Sequence, residues 1–293
     1  MTVLPPRGTW RHRRGTVTQA QLLQWGTRRL AHSGHGAHEA RQLLQWALGE
    51  DSLLRAPNAV GMRAAERYRS AIAQRTRGYP LQHITGSMQF RHLDLLAGPG
   101  VFSVRPETEM IIDLASPYLQ PGADVADLCA GSGAIGLAAA TEFPGLTVTA
   151  VEFSASSAAY ARRNYDRHRD NMAPGSTWQL LVEDALAENT FAAASLDVIL
   201  SNPPYVPGQP PLQGDVLFDP EAALYGGGED GLVFPRGLVG RCATLLRPGG
   251  VLIMEHDPSQ GEALQLRCAE CGFAASTTEP DLTGRPRFLV ATR

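Results

Sequence analysis

Apolar residues recur along this chain in two rhythms. From about residue 16 to 80 the spacing is helical: Leu22, Trp25 and Leu30, then Ala40, Leu44, Ala47 and Leu48, then Ala65, Tyr68 and Ile72. Thr18-Gln19-Ala20-Gln21 reads as a capping box, which satisfies two backbone amides at a helix start. Gly34 and Gly36 break the first helix, and Gly78-Tyr79-Pro80 ends the third. Three short amphipathic helices predict a small bundle. Periodicity alone leaves its role open between a structural cap and a substrate-recognition module.

The stretch from Leu81 to Arg105, with Gly98-Pro99-Gly100 inside it, reads as a connector containing a hairpin. From about residue 106 apolar runs alternate with helical stretches. The predicted strands are Asp124–Cys129, Thr147–Phe153, Trp178–Val182, Leu196–Leu200, Val251–Glu255 and Phe288–Ala291. Such alternation predicts an α/β fold, a doubly wound and mostly parallel sheet covered on both faces. The expected domains are a helical unit over 1–85, with 1–15 a flexible leader, a hairpin linker over 86–105, and the sheet domain over 106–293. Ligands in these sheets bind beyond the carboxyl ends of the strands, which directs attention to the residues after each one.

Composition narrows the picture. A hydrophobic fraction of 43% supports a sizeable core. No apolar run approaches the roughly 18 residues of a membrane span, and the N-terminus lacks a signal-peptide pattern, so a cytoplasmic location and no membrane partner are expected. A formal net charge of -3 argues against a protein that mainly neutralises nucleic-acid phosphates. The basic cluster Arg11-His12-Arg13-Arg14 reads as a solvated leader. Cys268 and Cys271 form a lone C-x-x-C inside a helical stretch; without a second ligand pair they read as packing residues, and no metal site is expected.

Two segments carry candidate chemistry. The first is Asp127-Leu128-Cys129-Ala130-Gly131-Ser132-Gly133-Ala134-Ile135-Gly136. Gly131, Gly133 and Gly136 fit G-x-G-x-x-G between a strand and a helix. Glu152 ends the next strand, where a carboxylate can accept from both hydroxyls of a ribose. These residues point to a nucleoside cofactor and leave a nicotinamide dinucleotide open. Asp184, beside Ala185 after the third strand, suits either an adenine amine or a helix N-cap.

The second segment is Asn202-Pro203-Pro204-Tyr205, at the end of the fourth strand. The prolines stiffen the backbone and offer no N–H, so the loop presents acceptors. A planar amide nitrogen is a poor nucleophile with two N–H donors. If the Asn202 side-chain oxygen accepts one and the Pro203 carbonyl the other, the nitrogen lone pair is oriented and the developing positive charge is stabilised. Tyr205 adds a flat packing face. Methyl transfer from S-adenosyl-L-methionine meets these needs without metal or covalent nucleophile, whereas a nicotinamide enzyme would leave the loop unexplained.

The chain resembles the bacterial release factor glutamine methyltransferases, the HemK-type protein-(glutamine-N5) methyltransferases, from about Ala37 onward. Besides the two segments above, the resemblance rests on Pro80-Leu81-Gln82-His83-Ile84-Thr85-Gly86 and Arg105-Pro106-Glu107-Thr108-Glu109. It rests also on Asp219-Pro220-Glu221-Ala222-Ala223-Leu224, Glu229-Asp230-Gly231-Leu232 and Asp281-Leu282-Thr283-Gly284-Arg285. It implies a class I, Rossmann-like methyltransferase domain with an N-terminal helical domain and a hairpin linker. It implies methylation of the glutamine in the Gly-Gly-Gln loop of class 1 peptide chain release factors. Asp127, Cys129, Ala130, Gly131, Ser132, Gly133, Glu152, Asp184, Ala185 and Asn202 would then contact the cofactor. Asn202 and Pro203 would carry catalysis, and Asn202, Pro203, Pro204 and Tyr205 the substrate glutamine. Ala130, Asp219 and Ser154-Ala155-Ser156 depart from the usual family pattern. The rivals are a ribosomal-protein glutamine methyltransferase and an adenine-N6 nucleic-acid methyltransferase, whose exocyclic amine poses the same lone-pair problem. The net charge and the small helical module disfavour a direct nucleic-acid substrate.

Overall fold

A computed structural model describes residues 17–208 and 214–293. The predicted leader over 1–15, with its basic cluster, lies outside the described residues. Two compact units divide between Thr85 and Gly86.

The first unit contains β1 (Val17–Thr18), α1 (Gln19–Ala31), α2 (Ala37–Leu48), β2 (Ala59–Val60), α3 (Met62–Arg75) and α4 (Leu81–Thr85). Thr18 caps α1 with the reciprocal bonds of a capping box. Leu22 and Leu30 of α1 meet Leu43 and Leu44 of α2 and Tyr68 and Ile72 of α3 in one buried cluster. Two features escape the periodicity. β1 and β2 form a two-residue antiparallel pair, and α4 is too short to show a helical stripe. Glu39 and Arg75, both buried, form an ion pair at 2.5 Å between α2 and α3.

The second unit begins with a hairpin of β3 (Ser87–Phe90) and β4 (Leu93–Leu96), followed by α5 (Met110–Ala115). Its turn is Arg91-His92, upstream of Gly98-Pro99-Gly100. Arg91 adopts a left-handed φ of 52°, held by its N–H to Glu109 and its guanidinium to Glu142 and Asp113. Then come β5 (Asp124–Leu128), α6 (Ala134–Glu142), β6 (Thr147–Val151), α7 (Ala155–His168), β7 (Thr177–Leu181) and β8 (Leu196–Ser201). The chain ends with α8 (Val233–Leu245), β9 (Leu246–Glu255), α9 (Gly261–Glu270), β10 (Ala275–Pro280) and β11 (Pro286–Thr292).

Seven strands make one sheet in the order β10-β11-β9-β8-β5-β6-β7. The pairs from β9 to β7 are parallel, while β11 runs antiparallel to both neighbours. One face is covered by the hairpin, α5 and α6, the other by α8 and α9. The hairpin is therefore no free connector: Met88, Phe90, Leu93 and Leu95 are buried in the core beneath the sheet. Cys268 is buried among the apolar residues of α8 and α9, with Cys271 packed at their edge. Sequence periodicity missed β10, an edge strand of Thr, Ser and Glu whose burial alternates weakly. Among the described residues no helix is long and apolar enough to cross a membrane.

Gly26 shows how tightly the first unit packs. Glycine inside a helix is normally worth about 1 kcal/mol less than alanine. Here an added Cβ would lie 1.9 Å from the buried Tyr68 hydroxyl. Overpacking costs about 1–3 kcal/mol, so the steric term outweighs propensity. Gly26→Ala is expected to speed hydrogen exchange throughout α1 and α3, read by mass spectrometry. Equal or greater protection would refute the packing account.

Candidate functional site

The sheet reverses its winding between β5 and β8. β6 and β7 lie to one side of β5, β8 and β9 to the other. Chains leaving the carboxyl ends of two such strands diverge, and the crevice between them is the usual ligand site. Leu128 pairs with Ser201, and the Ser201 hydroxyl donates to the Leu128 carbonyl at 2.7 Å. The loops Cys129–Gly133 and Asn202–Tyr205 thus leave adjacent strand ends. Both predicted segments meet here.

The first loop turns sharply. Cys129 (φ 62°), Gly131 (φ 57°) and Gly133 (φ 80°) all adopt left-handed backbone, which is costly for the cysteine and places strain at the crevice. Three backbone donors of the turn and of the helix it opens are already used. Gly131 N–H donates to Glu152 Oε2 at 2.7 Å, Gly133 N–H to the Ala130 carbonyl at 2.8 Å, and Gly136 N–H to Asp127 Oδ2 at 2.8 Å. Two of these acceptors are carboxylates. A dinucleotide fold offers such donors to a pyrophosphate. This turn instead spends two of those amides on acidic side chains, and the Glu152 carboxylate among them disfavours a phosphate and suits a cationic cofactor. The nicotinamide alternative thereby loses the Gly131 and Gly136 amides as phosphate donors.

Glu152 is nearly buried, and its other oxygen accepts Ser154 N–H at 2.7 Å. Burial raises its pKa, and the two amide donors oppose that shift. The carboxylate is held in one orientation and keeps lone pairs for a diol. A Cβ on Gly131 would meet nothing within 4 Å, so this edge of the turn faces open space. Phe153 follows Glu152 and is 73% exposed. A large uncovered ring beside a preset carboxylate is what a nucleoside's base and sugar need. Asp184 is exposed and accepts Leu186 N–H at 2.9 Å, capping a turn, with no helix after it; Ala185 is buried beside it.

The second loop rests on a buried network. Asn202 Nδ2 donates to Thr108 Oγ1 at 3.2 Å, and Thr108 Oγ1 donates to Glu255 Oε2 at 2.7 Å. The Tyr205 hydroxyl donates to Glu255 Oε1 at 2.7 Å. Thr108 is 0% exposed and Glu255 1%. Burial pushes the Glu255 carboxyl up, against its two hydroxyl donors and Arg287, whose Nη1 lies 4.0 Å away. Burial and the facing carboxylate push the Tyr205 phenol far above its ordinary range. Gln260, also buried, donates to the carbonyls of Tyr205 and Asp230, both at 2.8 Å. Asp281 gathers Thr283, Arg285 and Arg287 around its carboxylate. Asp219 accepts from Ser103 N–H and the Arg105 guanidinium, so its shorter side chain still ties those segments together. Among the described residues no backbone N–H donates to the Pro203 carbonyl.

Reading the sequence for chemistry located the two loops but missed Thr108, Glu255, Gln260 and Phe153. Thr108 stood within a family-like motif. Glu255 gave a usable signal, an acid ending a buried apolar strand.

Comparison with known proteins shows the family. The Methyltransferase small domain model matches residues 92–239, and the PrmC N-terminal domain model matches residues 21–86. Release factor glutamine methyltransferase from Bifidobacterium longum is 44% identical over 233 residues, 76% of this chain and 79% of that protein. The Streptomyces coelicolor protein of the same name is 42% identical over 236 residues, covering 77% and 80%. That from Moorella thermoacetica is 36% identical over 287 residues, covering 94% and 99%. Among solved structures, a methyltransferase from Pyrococcus furiosus superposes with a TM-score of 0.50 at 21% identity, covering 69% of this chain and 89% of that one. That likeness bears on the fold alone.

The buried Asp127 provides a test of the turn's electrostatics. Desolvation raises its pKa to about 7, opposed by the Gly136 amide and reinforced by Glu152. Between roughly pH 4 and 7 the folded chain thus retains a proton that the unfolded chain has released. Stability falls as pH rises through that window, by up to ~1.4 kcal/mol per pH unit. Asp127→Asn is expected to flatten this slope in urea titrations of the cofactor-free protein. An unchanged slope would refute the assignment.

Proposed function

The chain belongs to the release factor glutamine methyltransferase family, and we propose that it methylates N5 of the glutamine in the Gly-Gly-Gln motif of class 1 peptide chain release factors. It is an S-adenosyl-L-methionine-dependent glutamine methyltransferase. The observation that supports methylation of a planar nitrogen is the Asn202 carboxamide, whose Nδ2 is engaged by Thr108 and leaves its oxygen as a free acceptor beside the Pro203 carbonyl, and the names of the relatives direct the choice of substrate. The same reading implies action in the cytoplasm, on a protein rather than on nucleic acid.

When bound, S-adenosyl-L-methionine supplies an electrophilic methyl group on a sulfonium. The chain's own residues do the rest. Glu152 would accept from the ribose hydroxyls, already aimed by the amides of Gly131 and Ser154. Phe153 would cover a face of the adenine, with Asp184 and Ala185 at its edge. Asp127, Cys129, Ala130, Ser132 and Gly133 would shape the turn around the cofactor's amino-acid portion, where carboxylates favour its charged sulfur and amine.

Asn202 Oδ1 and the Pro203 carbonyl would each accept one N–H of the glutamine amide. With both hydrogens held, the nitrogen lone pair is left facing the methyl group, and the cationic nitrogen that forms is stabilised by the same acceptors. Its proton can leave to water after transfer, so no general base is assigned. Pro204 and the ring of Tyr205 would line the glutamine's path.

The deciding experiment incubates the full chain with purified release factor and S-adenosyl-L-methionine, then maps the product by mass spectrometry. One added methyl on the Gly-Gly-Gln glutamine is expected. A methyl on a ribosomal protein or on adenine, with none on release factor, would overturn the substrate assignment. Asn202→Ala is expected to lower turnover by about a hundred-fold or more while weakening cofactor binding far less. Undiminished turnover would overturn the mechanism.

A further inference from the structure

A carboxamide has two ends of nearly the same shape. Two prolines fix the backbone after Asn202, but they do not decide which end of its side chain faces the crevice. That choice belongs to whatever bonds the other end. Here the partner is the Thr108 hydroxyl, at 3.2 Å from Nδ2. A hydroxyl has one proton to give, and this one is directed to Glu255 Oε2 at 2.7 Å. Thr108 can then only accept from Asn202. The NH₂ end turns inward and the oxygen outward.

Glu255 is what commits that proton. Its oxygens receive two hydroxyls, from Thr108 and Tyr205, as an acceptor-only carboxylate does. The Arg287 guanidinium at 4.0 Å favours its charged form, and Asp281 holds that guanidinium with Nε 3.3 Å from Oδ2. Thr108 and Glu255, at 0% and 1% exposure, keep water from supplying a competing donor to the inner part of the relay.

We infer that Glu255, acting through the Thr108 hydroxyl, is the positioning residue that turns the Asn202 side-chain oxygen toward the substrate nitrogen. This rests on the reading above that Asn202 accepts an N–H of the substrate. Reversing the relay would put the Asn202 NH₂ against the substrate's own N–H donors, two donors facing each other. Neither Thr108 nor Glu255 touches substrate in this account. Their influence passes through the orientation of one amide.

The test compares the full-length wild type with Thr108→Val, Thr108→Ser and Glu255→Gln. Valine keeps the shape of threonine and removes both hydrogen bonds. Serine keeps the hydroxyl. T108V and E255Q are expected to lower kcat by about ten- to hundred-fold. KM and the Kd for S-adenosyl-L-methionine should stay within about threefold, and T108S should recover most of kcat. A T108V variant whose kcat stays within about twofold of wild type would overturn the inference. So would a T108S variant as impaired as T108V, since that marks a packing role.

Side-chain amide NMR of Asn202, assigned with Asn202→Ala, gives a readout independent of substrate. One Asn202 amide proton is expected downfield and slow to exchange in wild type, and shifted upfield in T108V. An Asn202 resonance unmoved by T108V overturns the inference. A wild type that fails to methylate release factor overturns the proposed function instead, and the NMR comparison then decides the relay alone.

Discussion

A buried carboxylate must be paired, because desolvating a charge costs several kcal/mol that packing alone does not return. Glu255 meets that demand with Thr108, Tyr205 and Arg287, which come from three other segments of the chain. The requirement works in both directions. The carboxylate gains its partners, and each partner loses its freedom. The turn carrying Thr108, the loop after β8 and the strand β11 are thereby fastened to the end of β9. The Asn202 loop is stiff in its backbone through its prolines and fixed in its side chain through this carboxylate.

The opposite side of the crevice follows the same logic with the sign of the ligand in view. The glycine turn gives its amides to Glu152 and Asp127 rather than keeping them for a phosphate. Raised pKa values at both acids record the cost of burying carboxyl groups in a dry site. A cationic ligand offsets that cost on binding, and an anionic one adds to it. The glycine spacing shared by two cofactor classes is thus resolved by what the amides already hold.

Much of the fold was legible in the residues because it rests on local periodicity. The parallel strands are mostly apolar runs, and α1 to α3 carry helical stripes. β10 was not legible, since an edge strand with polar side chains has no stripe to show. The hairpin's place in the core was hidden as well, because alternating residues such as Met88, Phe90, Leu93 and Leu95 announce a buried face without saying what buries it. The site divided in the same way. Asn202 and the glycine turn lie in short contiguous motifs at strand ends. Thr108 and Glu255 are 147 positions apart and meet only once the sheet has formed.

In the proposed mechanism, two fixed acceptors would also constrain what the crevice can methylate. A hydroxyl or thiol nucleophile brings one hydrogen and would leave one acceptor unpaired as the site closes, at about 1–3 kcal/mol. A secondary amide fails in the same way. A protonated primary amine brings three hydrogens and no lone pair. A planar nitrogen with two hydrogens satisfies both acceptors and keeps its lone pair perpendicular to them, toward the methyl group. This filter selects the type of nitrogen and is indifferent to the carbon skeleton behind it. Discrimination between an amide side chain and a base therefore has to arise from surfaces beyond the loop, and the loop is free to specialise in chemistry alone.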